Sequence, residues 1–276
     1  MRSFNRAAVV VALSGLCGVA GAAINNTGNY FGNVGGQLTA VAFPSVSNAT
    51  GNFFVGGMPA GSTILAAYVH SNDWFNGGSA HNLIFNGNGM GSLTAYESAL
   101  SGSGDLFDYR WDVTSQIGGN GFYSFDISGG SQIYMASLHV VYSHPSLPAG
   151  SVHTYEGAEH VGEGHTYDFY SFNLTGAAPG PAYFQIVTQA DDTNTTGEKI
   201  WYNGVQVGGP IDNNLGPYAS MISSPVVNNG VSETIAIETF GDWFGLHVAL
   251  VTTTIPAPGS LALVGLAGLA AARRRR

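Results

Sequence analysis

The stretch Gly118-Gly119-Asn120-Gly121-Phe122-Tyr123-Ser124-Phe125-Asp126-Ile127 carries the pattern that decides the fold class. Its first four residues are a turn signal, because Gly and Asn adopt a positive φ at low cost. The run that follows is aromatic and β-branched, which is typical of a strand. The stretch therefore predicts a turn that leads into a β-strand.

The same alternation of turn signals and short strand-like runs continues along the chain. Further turn signals include Asn86-Gly87 and Asn203-Gly204, and further runs cover residues 63–69, 82–85, 136–142, 183–187, 199–202 and 234–238. No long stretch between the two ends combines a 3.6-residue period with helix caps. This pattern predicts an all-β protein of two tandem antiparallel β-sandwich (jelly-roll-like) domains, with helix confined to an N-terminal signal helix and a short C-terminal apolar helix.

A faint internal repeat supports two units. Asn86-Gly87 and Leu138-His139-Val140 in the first half correspond to Asn203-Gly204 and Leu246-His247-Val248 in the second. The Pro-rich segment 145–150 lies between the two halves, so we expect the domain boundary there. The predicted organisation is a signal peptide at 1–22, sandwich domains at 23–148 and 149–254, and a tail at 255–276.

The N-terminus has the three parts of a secretory signal peptide. Arg2 and Arg6 supply the positive region, residues 7–16 supply the apolar region, and Ala20-Gly21-Ala22 fits a cleavage site. Cys17 is the only cysteine and lies in this segment. Disulfides and Cys-ligated zinc are therefore not expected in the mature protein.

The charge of the body, residues 23–254, limits its partners. Only Arg110 and Lys199 are cationic there, against 17 acidic residues, so its formal charge is −15. Such a body does not bind nucleic acid by neutralising phosphates. It should attract divalent cations and repel anionic surfaces.

The C-terminal tail combines three features. Pro256-Ala257-Pro258 ends the preceding structure, because proline fixes φ and lacks an N–H donor. An uncharged, mostly apolar run follows to Ala272; it is short for a stable membrane span, which needs about 20 residues. The chain then ends with Arg273, Arg274, Arg275 and Arg276, which should stay on the cytoplasmic side.

This tail resembles the PEP-CTERM sorting signal of Gram-negative bacteria, in which Pro-Glu-Pro precedes a short apolar helix and an arginine cluster. Ala257 stands where that family has glutamate. The resemblance implies cleavage by signal peptidase and by a membrane-embedded exosortase, with transient membrane association through the tail. An ordinary C-terminal membrane anchor is the alternative.

The resemblance also implies a place and a role. The protein is expected to be secreted or held at the cell surface of a Gram-negative bacterium, as a non-enzymatic component of the extracellular matrix or biofilm that contacts exopolysaccharide. A carbohydrate-binding adhesin and a secreted glycan hydrolase are the alternatives.

The first half further resembles a sandwich domain repeated in bacterial and archaeal surface proteins. The residues that carry this resemblance are Ala67-Tyr68-Val69, Phe85-Asn86-Gly87, residues 109–114, Gly119-Asn120-Gly121 and residues 138–145. Those domains have no settled activity, so the resemblance concerns fold and surface location only.

Two aromatic residues are candidates for ligand binding. Trp74 lies in a Gly-rich loop and Trp243 follows Asp242. An exposed indole could stack on a sugar, since its ring offers a flat apolar face. Core packing is the alternative for both residues.

The loop 191–198 is a candidate for a weak calcium site, and no other cofactor is expected. Asp191, Asp192 and Glu198 offer three carboxylates, and calcium takes roughly 6–8 oxygen ligands. A solvated turn is the alternative, and the order of residues is not that of an EF-hand.

The remaining polar clusters give no catalytic assignment. The segment 156–165 contains three Glu and two His residues and could hold a transition metal, but its glycines favour a solvated acidic linker. His139 and His247 are interpreted as sandwich-face histidines satisfied by a neighbour. Arg110 is expected to pair with Asp108 or Asp112. No nucleophile motif with a suitable spacing occurs in the body.

Overall fold

The computed structural model describes residues 24–74, 79–99, 106–161, 168–174, 176–189, 198–209, 214–216, 218–238 and 244–255. These residues form antiparallel strands and one short 3-10 helix, Thr114–Gln116. In chain order the strands are β1 Asn25–Gly32, β2 Val34–Val55, β3 Thr63–Trp74, β4 His81–Phe85, β5 Asn88–Leu93, β6 Glu97–Ala99, β7 Leu106–Asp112, β8 Gly121–Ser143, β9 Gly150–Val161, β10 Asp168–Asn173, β11 Gly180–Gln189, β12 Lys199–Tyr202, β13 Val205–Gly208, β14 Ala219–Asn228, β15 Ser232–Glu238 and β16 Phe244–Thr254.

Sheet I has the order β5-β4-β8-β3-β7-β6, and β2 pairs with β8 along most of its length. The sheet curls into a half-barrel. The curl follows from bends in its two longest strands. The register of β2 shifts between Ala42 and Asn48, where Pro44 interrupts the ladder and Ser45 has a positive φ. The concave side encloses a core that includes Phe53, Phe85 and Leu138.

β8 bends opposite this point at Gly129-Gly130. Gly129 has a φ of +98°, and a Cβ atom there would overlap the carbonyl oxygen of Ala80. Only glycine combines that backbone conformation with so close an approach. β8 can therefore pair with β4 through residues 125–128 and with β3 through residues 136–143.

Two further sheets contain most of the second half of the chain. Sheet II has the order β1-β9-β16-β11-β14, and sheet III has the order β10-β15-β12-β13. A second apolar core joins residues of both sheets, among them Phe184 and Leu246 of sheet II and Ile200 and Ile235 of sheet III. Sheets II and III therefore share a buried face.

The other face of sheet II packs against sheet I. We call this interface the seam; β2, β3, β7 and β8 line it on one side, and β9, β11 and β16 line it on the other. A third apolar cluster fills part of the seam with residues from both sheets, including Leu38, Met135, Val187 and Leu250. Sheet II is thus covered on both faces. β1, the first described strand, pairs with β9 in sheet II and thus joins strands from the other side of the boundary expected near residue 148.

The predicted all-β class is confirmed. Asn86 and Asn203 both have a positive φ, as does the glycine after each, and the two Asn-Gly pairs join β4 to β5 and β12 to β13 as hairpins. The runs 122–127 and 136–142, expected as separate strands, both lie in β8. The expected signal helix and tail helix lie outside the described residues. Across the described ranges, no helix has the length and apolar character that a membrane crossing requires.

Candidate metal centre

Polar side chains occupy one end of the seam. Strand alternation places Tyr68, His70 and Asn72 of β3 on the face that also carries Ala66, a residue of the apolar seam cluster. The register sets His70 opposite Ser137 on β8 and opposite Arg110 on β7. The sheet geometry therefore gathers residues that are distant in sequence.

His70, His139 and Glu156 form the centre of this polar region. The Nε2 atom of His70 lies 3.8 Å from Glu156 Oε1, and the Nε2 atom of His139 lies 3.6 Å from the same oxygen. One ligand atom from each of the three residues falls within 4.8 Å of the others. All three side chains are buried, with Glu156 only 1% exposed. The two imidazoles come from sheet I and the carboxylate from sheet II.

Arg110 closes one side of the centre. Its Nη1 atom donates a hydrogen bond to Glu156 Oε2 at 2.5 Å. The guanidinium carbon lies 4.9 Å from the centre of the Tyr68 ring and 5.0 Å from that of Tyr96, so the cation is held between two aromatic rings. The expected pairing of Arg110 with Asp108 or Asp112 is wrong, because the guanidinium crosses the seam to the buried carboxylate of Glu156.

The protonation states favour metal binding. Burial lowers the pKa of His70 to about 4 and that of His139 to about 3, so both imidazoles are neutral near pH 7. Burial acts to raise the pKa of Glu156, but His70, His139 and Arg110 outweigh it and bring the pKa below its usual value. Neutral imidazoles and an ionised carboxylate are the forms that bind metal ions.

Asp108 and His247 extend the centre. Asp108 Oδ2 lies 3.7 Å from His70 Nδ1 and 4.0 Å from His247 Nδ1. Burial, followed by the charge of Glu156, raises the pKa of Asp108 well above its usual value. His139 and His247 are buried as expected. The expectation that a neighbour satisfies them is wrong, because neither ring forms a hydrogen bond to any described residue.

A second polar network lies on the other face of β3. His81 Nδ1 is 3.1 Å from Ser71 Oγ, and His81 Nε2 is 3.1 Å from Asp73 Oδ2. The backbone N–H of Gln132 donates to Asp73 at 2.7 Å, and the Tyr109 ring stacks on His81 at 3.6 Å. This order of hydroxyl, imidazole and carboxylate resembles a catalytic triad. All three members are fully buried, and Asp73 also accepts backbone N–H bonds from Ser131 and Gln132, which follow the bend of β8.

The residues proposed from sequence for ligand binding lie elsewhere. Trp74 is 4% exposed and packs with Leu106, Ala158 and Tyr134. A ring that stacks on a sugar needs an exposed face. The burial of Trp74 therefore corresponds to core packing, the alternative named for it. Trp243 lies outside the described residues.

The proposed calcium loop is described only at its end. Asp191 and Asp192 lie outside the described residues, and Glu198 is fully buried. Lys199 forms an ion pair of 3.2 Å with Glu238. Pro256, Ala257, Pro258 and the arginines 273–276 also lie outside the described residues.

The structure corrects the interpretation of Glu156 as part of a solvated acidic linker. Residues 156–161 belong to β9, and Val248 of β16 pairs with Glu156. Pairing between distant strands buries the carboxylate, which a local pattern cannot show. One signal was available for the centre: the polar run His70-Ser71-Asn72-Asp73 continues an apolar strand, and buried polar residues within a strand often mark a site.

Comparison with known proteins identifies no family. Neither a protein-family model nor a curated protein matches the chain. Among solved structures, a conserved protein of unknown function from Pseudomonas aeruginosa PAO1 is 9% identical with a TM-score of 0.32, over 79% of this chain and 100% of that one. YhaK from Escherichia coli is 9% identical with a TM-score of 0.29, over 91% and 95%. A β-porphyranase of glycoside hydrolase family 86 from Bacteroides plebeius is 10% identical with a TM-score of 0.29, over 87% and 38%.

Proposed function

We propose that this chain is an exported structural protein of the cell surface or extracellular matrix of a Gram-negative bacterium. The observation that carries the proposal is the pairing of a secretory signal at residues 1–22 with the Pro-rich, apolar and arginine-terminated tail at residues 255–276. The tail directs the protein to an exosortase, and signal peptidase removes the other end. The acidic body stays soluble once it is released.

The body of the proposed protein consists of two sandwich units. One is the curled sheet I with its enclosed core, and the other is the pair formed by sheets II and III. The separate cores and the hairpin at an Asn-Gly pair in each unit support this division. The seam then acts as a broad interface between the units and makes the body a rigid spacer.

A structural role agrees with the placement of the reactive groups. The Ser71–His81–Asp73 network and the His70–His139–Glu156 centre are both sealed from solvent. General acid–base or nucleophilic catalysis requires contact with the substrate. We therefore propose that these groups stabilise the fold and do not act on a substrate.

Mass spectrometry of the released protein tests the sorting proposal. The full chain is expressed in a Gram-negative bacterium that carries an exosortase, and also in the same strain without the exosortase. We expect the protein released from the first strain to lack residues 1–22 and the arginine cluster, and the second strain to retain the tail. An intact tail on protein released from the first strain would contradict the proposal.

Carbohydrate binding is a second candidate function because of one exposed aromatic pair. Phe54 and Phe122 are paired across β2 and β8, with ring centres 5.1 Å apart and exposures of 53% and 74%. Aromatic faces of this kind can stack on sugar rings. A glycan array tests the idea with the Phe54→Ala/Phe122→Ala double variant and with Trp243→Ala. Binding that both variants retain, or no binding by the wild type, would remove these surfaces from consideration.

A further inference from the structure

We propose that His70, His139 and Glu156 bind one divalent transition metal ion, for which Zn²⁺ is the probe, and that the ion fastens sheet I to sheet II across the seam. The proposal does not depend on export or on the fate of the tail. It rests on three observations: the spacing of the donor atoms, their lack of other partners and the groups that orient them.

The spacing is that of ligands around an ion. The distances of 3.6 and 3.8 Å from Glu156 Oε1 to the two Nε2 atoms are too long for hydrogen bonds. Two ligands that each lie about 2.0–2.1 Å from a tetrahedral zinc ion are about 3.4 Å apart. The two carboxylate–imidazole separations therefore need to contract by a few tenths of an ångström, and the two imidazole donor atoms, which lie within 4.8 Å of each other, must also approach to complete three sides of a zinc site.

The two imidazole donors also lack hydrogen-bond partners among the described residues. Both ring nitrogens of His70 and both of His139 are buried without a hydrogen bond to any described residue. The same holds for Ser137 Oγ and for both side-chain atoms of Asn72 nearby on the sheet. A buried polar atom without a partner costs about 1–3 kcal/mol. Such a concentration of unpaired atoms at one end of the seam needs a compensating ligand.

Neighbouring residues position two of the three donors, Glu156 and His70. Arg110 holds Glu156 Oε2, which leaves Oε1 directed at the two imidazoles. Asp108 Oδ2 lies 3.7 Å from His70 Nδ1, on the opposite side of the ring from the nitrogen that would bind the ion, and a closer approach of about half an ångström would make this contact a hydrogen bond. A carboxylate behind a histidine ligand is the usual arrangement in zinc sites, because it fixes the tautomer and the ring orientation.

The donor set selects the class of metal. Two imidazole nitrogens and one carboxylate oxygen suit Zn²⁺ and its neighbours in the first transition series. Ca²⁺ and Mg²⁺ prefer all-oxygen sites. Three protein ligands leave a fourth position for water, but burial closes the site to larger molecules. The role of the ion is therefore to stabilise the seam.

Metal titration of the full-length, untagged chain tests the proposal. After treatment with chelator, the chain is titrated with Zn²⁺, and bound metal is measured by elemental analysis after gel filtration. We expect one ion per chain and an unfolding midpoint that rises by about 5–10 °C at a hundredfold excess over Kd. Co²⁺ should give the intense visible absorption of a four-coordinate N/O site, and Ca²⁺ should not displace Co²⁺ from it, because calcium prefers all-oxygen sites.

Variants locate the site. His139→Gln and His70→Gln should each abolish the cobalt spectrum and the zinc-induced shift. His144→Ala, a change at a histidine outside the seam, should preserve both. Circular dichroism shows whether each variant is folded. If both seam variants unfold, the cobalt spectrum of the wild type alone tests whether the chain binds a metal ion through nitrogen and oxygen ligands. A wild type that binds no Zn²⁺ after gel filtration, or a folded His70→Gln/His139→Gln chain that binds it normally, would overturn the proposal.

Discussion

Asn203 exchanges two hydrogen bonds with the backbone of Thr234. Its own N–H donates to the Thr234 carbonyl at 2.8 Å, and its side-chain Oδ1 accepts from the Thr234 N–H at 2.9 Å. Asn86 makes the same two bonds to Ser124, at 2.9 and 3.0 Å. In both hairpins the turn asparagine therefore ties the loop to a neighbouring strand. This role explains why asparagine, and not glycine alone, occupies a position with positive φ.

We predict that Asn203→Ala lowers the free energy of unfolding by about 2 kcal/mol. Alanine is strained at positive φ by about 1 kcal/mol, and the lost acceptor leaves the Thr234 N–H unpaired. Asn203→Gly removes the strain but also lacks the side-chain acceptor, so it should lower the free energy of unfolding by about half as much. Urea unfolding of the two variants measures the difference. Equal stability of both variants and the wild type would contradict the role assigned to the side chain.

The two cations of the body should differ in their effect on stability. Arg110→Ala leaves the carboxylate of Glu156 buried without its counter-ion, and we expect a loss of about 3 kcal/mol. Lys199→Ala breaks a more exposed pair with Glu238 and should cost less than about 1 kcal/mol. Denaturant unfolding in the presence of chelator separates this effect from metal binding. Similar losses in both variants would show that the seam pair has no special importance.

Phe53 and Phe54 provide a matched pair for the core of sheet I. Phe53 is fully buried and stacks on Phe125 with ring centres 4.3 Å apart, whereas Phe54 is half exposed. Phe53→Ala should lower the free energy of unfolding by about 3–5 kcal/mol, because it removes a buried ring and leaves a cavity. Phe54→Ala should stay within about 0.5 kcal/mol of the wild type. Thermal and urea unfolding measure both changes, and a reversed order would mean that the strand faces the other way.

Stability should fall as the pH drops from about 6.5 to about 4. Burial lowers the pKa of His153 to about 4, so the folded state keeps this ring neutral where the unfolded chain binds a proton. The stabilisation is complete above the pKa of His153 in the unfolded chain, 6.5, and is lost as the pH falls toward the pKa of about 4 in the folded state. It amounts to about 3 kcal/mol. His153 Nδ1 lies 2.6 Å from Asn29 Oδ1, and His153 Nε2 lies 2.9 Å from Ser151 Oγ.

His153→Gln tests this pH dependence. The variant should show a smaller slope of unfolding free energy against pH between 4 and 6.5, by up to about 1.4 kcal/mol per pH unit. His144→Ala serves as the control because its ring is partly exposed, whereas that of His153 is buried. Parallel curves for the wild type and His153→Gln would assign the acid sensitivity to other groups.

Local chemistry was enough to predict the all-β class and the turns at the two Asn-Gly pairs. Asn-Gly pairs specify tight turns wherever they occur, and both hairpins formed where those pairs stand. The length of β8 could not be predicted, because Gly129-Gly130 looks locally like a turn. β2 pairs with β8 on both sides of that point, while β4 pairs before it and β3 pairs after it, and these distant partners make the two segments one strand.

The centre in the seam was less accessible to sequence reasoning. His70, His139 and Glu156 come from three strands, and no short motif connects them. Glu156 stands at the start of a charged, Gly-containing segment, which locally favours solvent exposure. Its burial depends on strand pairing with β16 and on the packing of two sheets. Such long-range contacts leave no periodic pattern around a single residue.

The position of β16 within sheet II has a consequence for the time course of folding. This strand is the last one among the described residues, yet it lies in the middle of the sheet, between β9 and β11. During synthesis, β9 and β11 cannot pair with β16 between them until residues 244–254 are available. Such non-local closure is slow and leaves strand edges unpaired in the interim. The chain therefore cannot complete its second apolar core until nearly all of it has emerged.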